Sequence, residues 1–282
     1  MSALYIVATP IGNLADMTLR AIEILKSVDV IAAEDTRHSQ KLLMHFDIHT
    51  PCFSLHDHNE TERIQKILTL LSEQKSIALI SDAGTPLISD PGFRVVRAVR
   101  EKNYAVISVP GACAAIAALS VSGLATDRFI FEGFLPVKKI ALEKYLEAIK
   151  NETRTIIFYE SVHRIQKTLL SMRNILGDQR KIVVARELTK SFETISQGTL
   201  QEIHQRFEAH PEWLKGEFVL VVSGAEPTST TEEANVKHVL SVLLRELPLK
   251  QAVQLTCDIT DASANATYDL ALILKEKLRA RE

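Results

Sequence analysis

Short runs of aliphatic and β-branched residues alternate with longer segments of helical periodicity along the first 120 positions. Residues 4–8, 28–33, 77–81 and 105–109 are apolar at most positions, which predicts strands buried on both faces. Residues 18–26, 60–73, 93–102 and 112–121 carry apolar residues at helical spacing and predict the helices between them. Strand and helix alternating in this way imply a parallel sheet. After Gly123 the pattern restarts, with strands predicted over 129–132, 155–159, 182–185, 192–196 and 218–222 and helices over 138–150 and 161–176. Several of these strands lack room for a crossover helix between them, so more antiparallel pairing is expected.

A polar segment rich in Ser and Thr, residues 223–235, reads as a linker. Helical patterns follow over 236–247, 249–257 and 264–277, with a break in which Asp261 and Ser263 are placed to cap the last helix. The paired short helices suit a helix-turn-helix or a small docking bundle equally. The expected organisation is an α/β protein: an N-terminal α/β domain over 1–122, a second over 123–224, a linker over 225–235 and a helical appendage over 236–282.

In parallel sheets, ligands bind outside the carboxyl ends of the strands. Four loops fall there: Thr9-Pro10-Ile11-Gly12-Asn13, Ala33-Glu34-Asp35-Thr36-Arg37-His38, the run from Ser81 to Gly92, and Pro110-Gly111-Ala112. Pro and Gly fix sharp turns and let the backbone approach a ligand closely. Neither a Walker-type phosphate loop nor a Gly-x-Gly-x-x-Gly run occurs in the chain, so nucleotide phosphates are not held in either familiar way. A turn carrying Asp82 and Asp90 suits a cationic or amino-acid-bearing ligand better.

Composition adds boundaries. The 282 residues are 46 % hydrophobic and 24 % charged, as in ordinary globular proteins. Cys52, Cys113 and Cys257 are odd in number, widely spaced and without Cys-x-x-Cys spacing, which excludes a disulfide framework or a cysteine zinc site. No signal-peptide or membrane-span pattern is present, so a cytoplasmic location with no membrane contact is expected. The formal net charge of −2 argues at first sight against nucleic acid, but it divides into −3 over residues 1–137, +5 over 138–206 and −4 over 207–282. The positive segment includes Lys138, Lys139, Lys144, Lys150, Arg154, Arg164, Lys167, Arg173, Arg180 and Lys181, and predicts one basic, RNA-facing surface.

Taken together, six motifs resemble the tetrapyrrole methylase superfamily, in its branch that modifies small-subunit ribosomal RNA. They are Leu4-Tyr-Ile-Val-Ala-Thr-Pro-Ile-Gly-Asn-Leu14, Ala33-Glu-Asp-Thr-Arg37, Ser81-Asp-Ala-Gly-Thr-Pro-Leu-Ile-Ser-Asp-Pro-Gly92, Val109-Pro-Gly-Ala112, Phe131-Glu-Gly-Phe-Leu-Pro136 and Tyr159-Glu-Ser-Val-His-Arg164. The resemblance implies S-adenosylmethionine as methyl donor, bound in a cleft between two α/β domains, and no metal. It implies as acceptor the 2′-hydroxyl of one cytidine in the decoding region of 16S ribosomal RNA, free or in the small ribosomal subunit, and a homodimeric enzyme. By family position, the donor contacts Pro10, Gly84, Thr85, Ile88, Cys113 and Ala114, with Phe158 or Tyr159 and Ala185 closing over it.

Methyl transfer to a hydroxyl needs alignment and a proton acceptor. Asp35 or Glu187 is expected as that acceptor, with Arg37, Arg186 and Lys190 steering the RNA backbone. The bland reading of these groups is ion pairing at strand ends. His56 and His58 have a metal-like spacing but lack a third ligand, and a polar loop is expected. Cys113 is expected to be a small buried thiol, and Trp213 a turn anchor beneath the last strand. Two rival readings share the pattern: a methylase of tetrapyrrole precursors, and a metabolite-sensing DNA-binding regulator that reads an operator through its C-terminal helices.

Overall fold

A computed structural model of the chain describes residues 2–56, 59–226 and 229–279. It divides into two compact units, Met1–Gly224 and Ala225–Glu282.

In the first unit, β1 (Ala3–Val7), β2 (Val30–Ala33), β3 (Cys52–Ser54), β4 (Ile77–Ile80) and β5 (Ala105–Val109) form a parallel sheet in the order β3-β2-β4-β1-β5. Its central strands β1, β2 and β4 are apolar throughout because both faces are covered, whereas the edge strands β3 and β5 carry Ser54 and Ser108 and are partly exposed. Ile31 and Ala33, with Ala78 and Ile80, pack on α1 (Leu19–Ser27) and α2 (Thr36–His45); Ala32, Ile77 and Leu79 pack on α3 (Glu60–Ser72) and α4 (Phe93–Glu101). The period of two along each strand therefore assigns every apolar residue to one layer or the other.

The second sheet contains β6 (Phe129–Phe134), β7 (Thr155–Ser161), β8 (Lys181–Arg186), β9 (Thr194–Thr199) and β10 (Glu217–Val222), in the order β6-β7-β10-β8-β9. Only β6 and β7 pair in parallel; the other pairs are antiparallel, as the short connections predicted. One face packs on α6 (Lys139–Ala148), α7 (Ile165–Leu176) and α8 (Leu200–Ala209) around Phe158, Phe207 and Phe218. The opposite face receives α5 (Ala114–Val121), whose Ala115, Ala118 and Leu119 meet Ile157, Val183, Ala185 and Val219. Helix α5 follows a strand of the first sheet and packs on the second. The boundary expected at 122–123 therefore lies inside one continuous unit.

Side-chain pairing ties elements further. Glu160, whose side chain is 0 % exposed, accepts from Thr168 Oγ1 at 2.6 Å and pairs with Arg164, whose guanidinium also donates to the Leu135 carbonyl. Trp213 fills its anchoring role, edge-on to Phe207 at 5.8 Å and stacked on His210 at 4.7 Å.

The apolar pattern of the sequence does not reveal helix α2, strand β3 or helix α8. Helix α2 shows few apolar positions, β3 has three residues, and α8 directly follows a strand through a capping box in which Thr199 and Glu202 exchange hydrogen bonds. The expected linker is also shorter, because α9 (Ser229–Glu246) begins within the polar run, and polarity alone does not oppose helix.

In the second unit, α9, α10 (Leu249–Thr260) and α11 (Ala264–Arg279) enclose Leu240, Ala252, Val253 and Ala271 in a small helix-turn-helix-like core. Asp261 does not cap the last helix. It closes α10 in the left-handed conformation, φ 54°, while the Ser263 carbonyl accepts the Thr267 amide in the first turn of α11.

Candidate active site

The loops at the carboxyl ends of β1, β4 and β5 meet the ends of β7, β8 and β10 around a cavity of about 300 Å³. Its walls are mostly apolar, from Ile11, Ile88, Ala114, Ala185, Leu188 and Val219, with Asp90 and Glu217 among its charged groups. That combination of an apolar slot and a few placed polar groups is typical of a small-molecule site.

Gly84 is the hinge of this cavity. Its φ of +82° is costly for an L side chain, and a Cβ there would lie 3.2 Å from Ile11 Cγ2. Gly84 also bridges Thr9, the amide of each residue donating to the other's carbonyl at 2.8 and 3.0 Å, while Thr85 Oγ1 donates to the Ala112 carbonyl at 2.9 Å. Three loops are thus held in one register. Gly84→Val is expected to weaken donor binding about tenfold, since strain of this kind costs roughly 1–3 kcal/mol and the loops would relieve part of it by shifting. Calorimetry with S-adenosylhomocysteine reads this directly, and unchanged affinity contradicts it.

Of the residues expected to contact a donor, Gly84, Thr85, Ile88, Cys113, Ala114, Tyr159 and Ala185 surround the cavity. Pro10 instead lines a second cavity beside it. Phe158 is a correction: it is fully buried in the helical layer behind the second sheet, because neighbours on a strand point to opposite faces. Tyr159 takes the site face, where Phe131 and Phe134 pack edge-on at 4.9 and 5.6 Å and its hydroxyl accepts from the Ala115 amide. Burial holds its phenol well above the usual range. Cys113, expected to be buried, is only half-buried and lies on the wall.

The expected proton acceptors, Asp35 and Glu187, both stand in ion pairs. Asp35 caps α2, accepting the Arg37 amide and pairing with the Arg37 guanidinium at 3.1 Å, which pulls its pKa down to about 2. Arg37 itself is 90 % exposed. Glu187 is partly desolvated, which raises its pKa, but Lys190 at 2.8 Å and the Glu217 amide at 3.0 Å outweigh burial and hold it below the ordinary value. Lys190 is shared between Glu187 and Glu217, and Arg186 is tied to Thr194 across the β8–β9 pair. Neither Asp35 nor Glu187 lies on the cavity wall.

Asp90, seen in the sequence only as a negative charge, does lie on it. Burial, with Glu34 and Asp82 nearby, raises its pKa to about 6 against the opposing hydrogen bond from Ser81. Glu34 and Asp82 cross-link the β2 and β4 loops: Glu34 accepts the Asp82 amide at 3.3 Å, and Asp82 accepts the Asp35 amide at 3.1 Å.

The predicted basic surface is partly neutralised. Arg154 pairs with Glu152, Arg164 with Glu160, Arg173 with Asp178 and Lys150 with Glu147, while Arg180 donates to the Ser223 and Lys150 carbonyls. His58 lies outside the described residues. His56 Nε2 meets the Asn59 side chain at 3.1 Å, and among the described residues no cluster of His, Cys, Asp and Glu is arranged to hold a metal.

Known proteins give this geometry a context. Residues 3–204 match the family described as tetrapyrrole (corrin/porphyrin) methylases, and residues 230–275 match the RsmI C-terminal HTH domain. The ribosomal RNA small subunit methyltransferase I of Haemophilus influenzae is 51 % identical over 276 residues, covering 97 % of this chain and 98 % of that one. Its counterpart from Escherichia coli O157:H7 is 49 % identical, covering 95 % and 94 %. A uroporphyrin-III C-methyltransferase from Thermus thermophilus, solved in complex with S-adenosylhomocysteine, superimposes with a TM-score of 0.53 at 16 % identity. It covers 79 % of this chain and 97 % of its own, and at that identity the likeness concerns the fold alone.

Proposed function

The chain belongs to the tetrapyrrole methylase family, and on that premise we propose that it methylates the ribose 2′-hydroxyl of a cytidine in the decoding region of 16S ribosomal RNA, using S-adenosylmethionine. The observation that carries the reading is the cavity between the two sheets, with Gly84 shaping one wall and Asp90 charging it, in a chain about half identical to named RNA methyltransferases.

The residues present fit the donor. The apolar walls suit a flat ring, the bend at Gly84 opens backbone to a ligand, and the Asp90 carboxylate faces a positive charge favourably. When bound, S-adenosylmethionine supplies an activated methyl group on a positively charged sulfur. The protein's own task is to exclude water, fix the acceptor oxygen and take its proton. Asp90 is assigned the last step: of the wall carboxylates, Glu160 pairs with Arg164 and Glu217 with Lys190, while Asp90 has no ion-pair partner among the described residues and burial raises its pKa to about 6.

Incubating the protein with labelled S-adenosylmethionine and small ribosomal subunits, free 16S RNA or a precorrin tests the reading. Label on a cytidine 2′-oxygen supports it; label on a base, on a tetrapyrrole, or nowhere overturns it. The identity to RNA methyltransferases over nearly the whole chain favours this reading over the precursor methylase and the DNA-binding regulator. The enzyme is further proposed to act in the cytoplasm as a homodimer. The C-terminal helices are assigned to grip the substrate particle, so a chain ending at Glu226 should bind donor normally yet methylate subunits roughly tenfold less efficiently. Equal methylation by the shortened chain contradicts that assignment.

A further inference from the structure

Beside the donor cavity lies a second cavity of comparable size, about 330 Å³, which shares Ile11, Ala83 and Glu217 with it. Its floor is α2, a helix that the apolar pattern of the sequence did not reveal. Ser39 is 2 % exposed there, and its hydroxyl has no hydrogen-bond partner among the described residues. Serine in a helix commonly returns its hydroxyl to the backbone one turn earlier, and a buried hydroxyl left unsatisfied is costly. Such a group on a cavity wall is a ready partner for a polar ligand atom.

The surrounding chemistry narrows the ligand. His38 and Lys41 stand on the same helix, and Lys190, packed against Gly12, also lines the cavity. Gly12 lies against Lys190 so closely that a Cβ would come within 2.5 Å of its Cγ, and the ammonium is fixed at 2.8 Å from both Glu187 and Glu217. Asp82, next to the shared Ala83, supplies an acceptor on the second cavity's wall. With Lys190 already held by Glu187 and Glu217, Lys41 is, among the described residues, the lining cation left to face an anion. Lys41 beside the buried Ser39 hydroxyl, with Asp82 and Glu217 as acceptors, matches a sugar-phosphate: a phosphate oxygen for Lys41 and ribose hydroxyls for the acceptors.

We propose that this second cavity is the acceptor subsite, holding the ribose-phosphate of the target strand through Ser39 and Lys41 so that the reacting ribose reaches the donor cavity past Ile11 and Ala83. The inference rests on the RNA methyltransferase reading and specifies where its substrate binds. It also assigns Lys190 and its two carboxylates to building the wall between the subsites, and gives α2 a role in substrate binding.

Ser39→Ala and Lys41→Glu test it in the full-length chain. Steady-state methylation of small ribosomal subunits gives the RNA KM, and calorimetry with S-adenosylhomocysteine gives donor affinity. Each variant is expected to raise the RNA KM five- to tenfold, with donor affinity unchanged within twofold. Lys41 is exposed, so its replacement preserves the fold, and Ser39→Ala removes only the hydroxyl. An RNA KM within twofold of the unaltered protein, or a parallel loss of donor affinity, overturns the acceptor subsite alone. Absence of RNA methylation by the unaltered protein overturns the functional reading, and the subsite with it.

Discussion

Asp90→Asn is expected to lower kcat for RNA methylation about 100-fold while making the protein more stable. A positioned general base contributes roughly 10²–10⁴ in rate, and asparagine keeps the shape and hydrogen bonding of the carboxylate without its proton affinity. The stability gain follows from the sign of the shift. The native carboxyl, with a pKa near 6, holds its proton more tightly than the unfolded one, near 3.8. Between those values the native state binds more protons, so Asp90 makes stability fall as pH rises and costs most above pH 6. Removing the charge should recover about 1 kcal/mol at neutral pH, allowing for solvent screening, which is roughly 2–4 °C in Tm for a chain of this size. The kcat/KM profile of the unaltered enzyme, which reports the free protein, should rise through a group near pH 6, and the variant should lack that limb. A variant with near-normal kcat and an unchanged profile removes Asp90 from proton transfer.

Glu160→Ala is expected to cost about 3–5 kcal/mol, because cutting one partner from a buried ion pair leaves the other charge uncompensated. Arg164 and Thr168 both depend on this carboxylate, and Arg164 carries the link onward to the Leu135 carbonyl. The loss thus loosens β7 against α7 directly behind Tyr159. Urea unfolding should show a lower midpoint with an unchanged slope. Replacing Glu160 with Gln should recover part of the loss by retaining hydrogen bonds without charge. A midpoint unchanged in the alanine variant would mean that the pair contributes no net stability.

Much of the layout was legible from residue order. A strand buried on both faces is apolar at almost every position, which makes 77–81 legible as a strand; the edge strand 105–109 is legible from its β-branched residues, and the Pro- and Gly-rich loops at their ends fall on one edge of the sheet. The reading failed where local pattern is weak. Helix α2 hides in Thr-Arg-His-Ser-Gln-Lys because it buries only Ser39 and Leu43, and that same helix forms the floor of the second cavity.

The amino-acid sequence by itself determined the alternation of strand and helix, the switch to antiparallel pairing after Gly123 and the loops from which the site is built. These depend on spacing and turn chemistry, which are properties of neighbours along the chain. Only the tertiary structure decided which groups in those loops remain available. Whether Phe158 or Tyr159 faces the cavity depends on the face that α5 covers. Whether Asp35, Glu187 or Asp90 can take a proton depends on cations and burial contributed by distant segments. Charges and cavities answer to neighbours in space, and the fold brings Asp90 close to Asp82 and Glu34 while it gives Arg37 to Asp35 and Lys190 to Glu187.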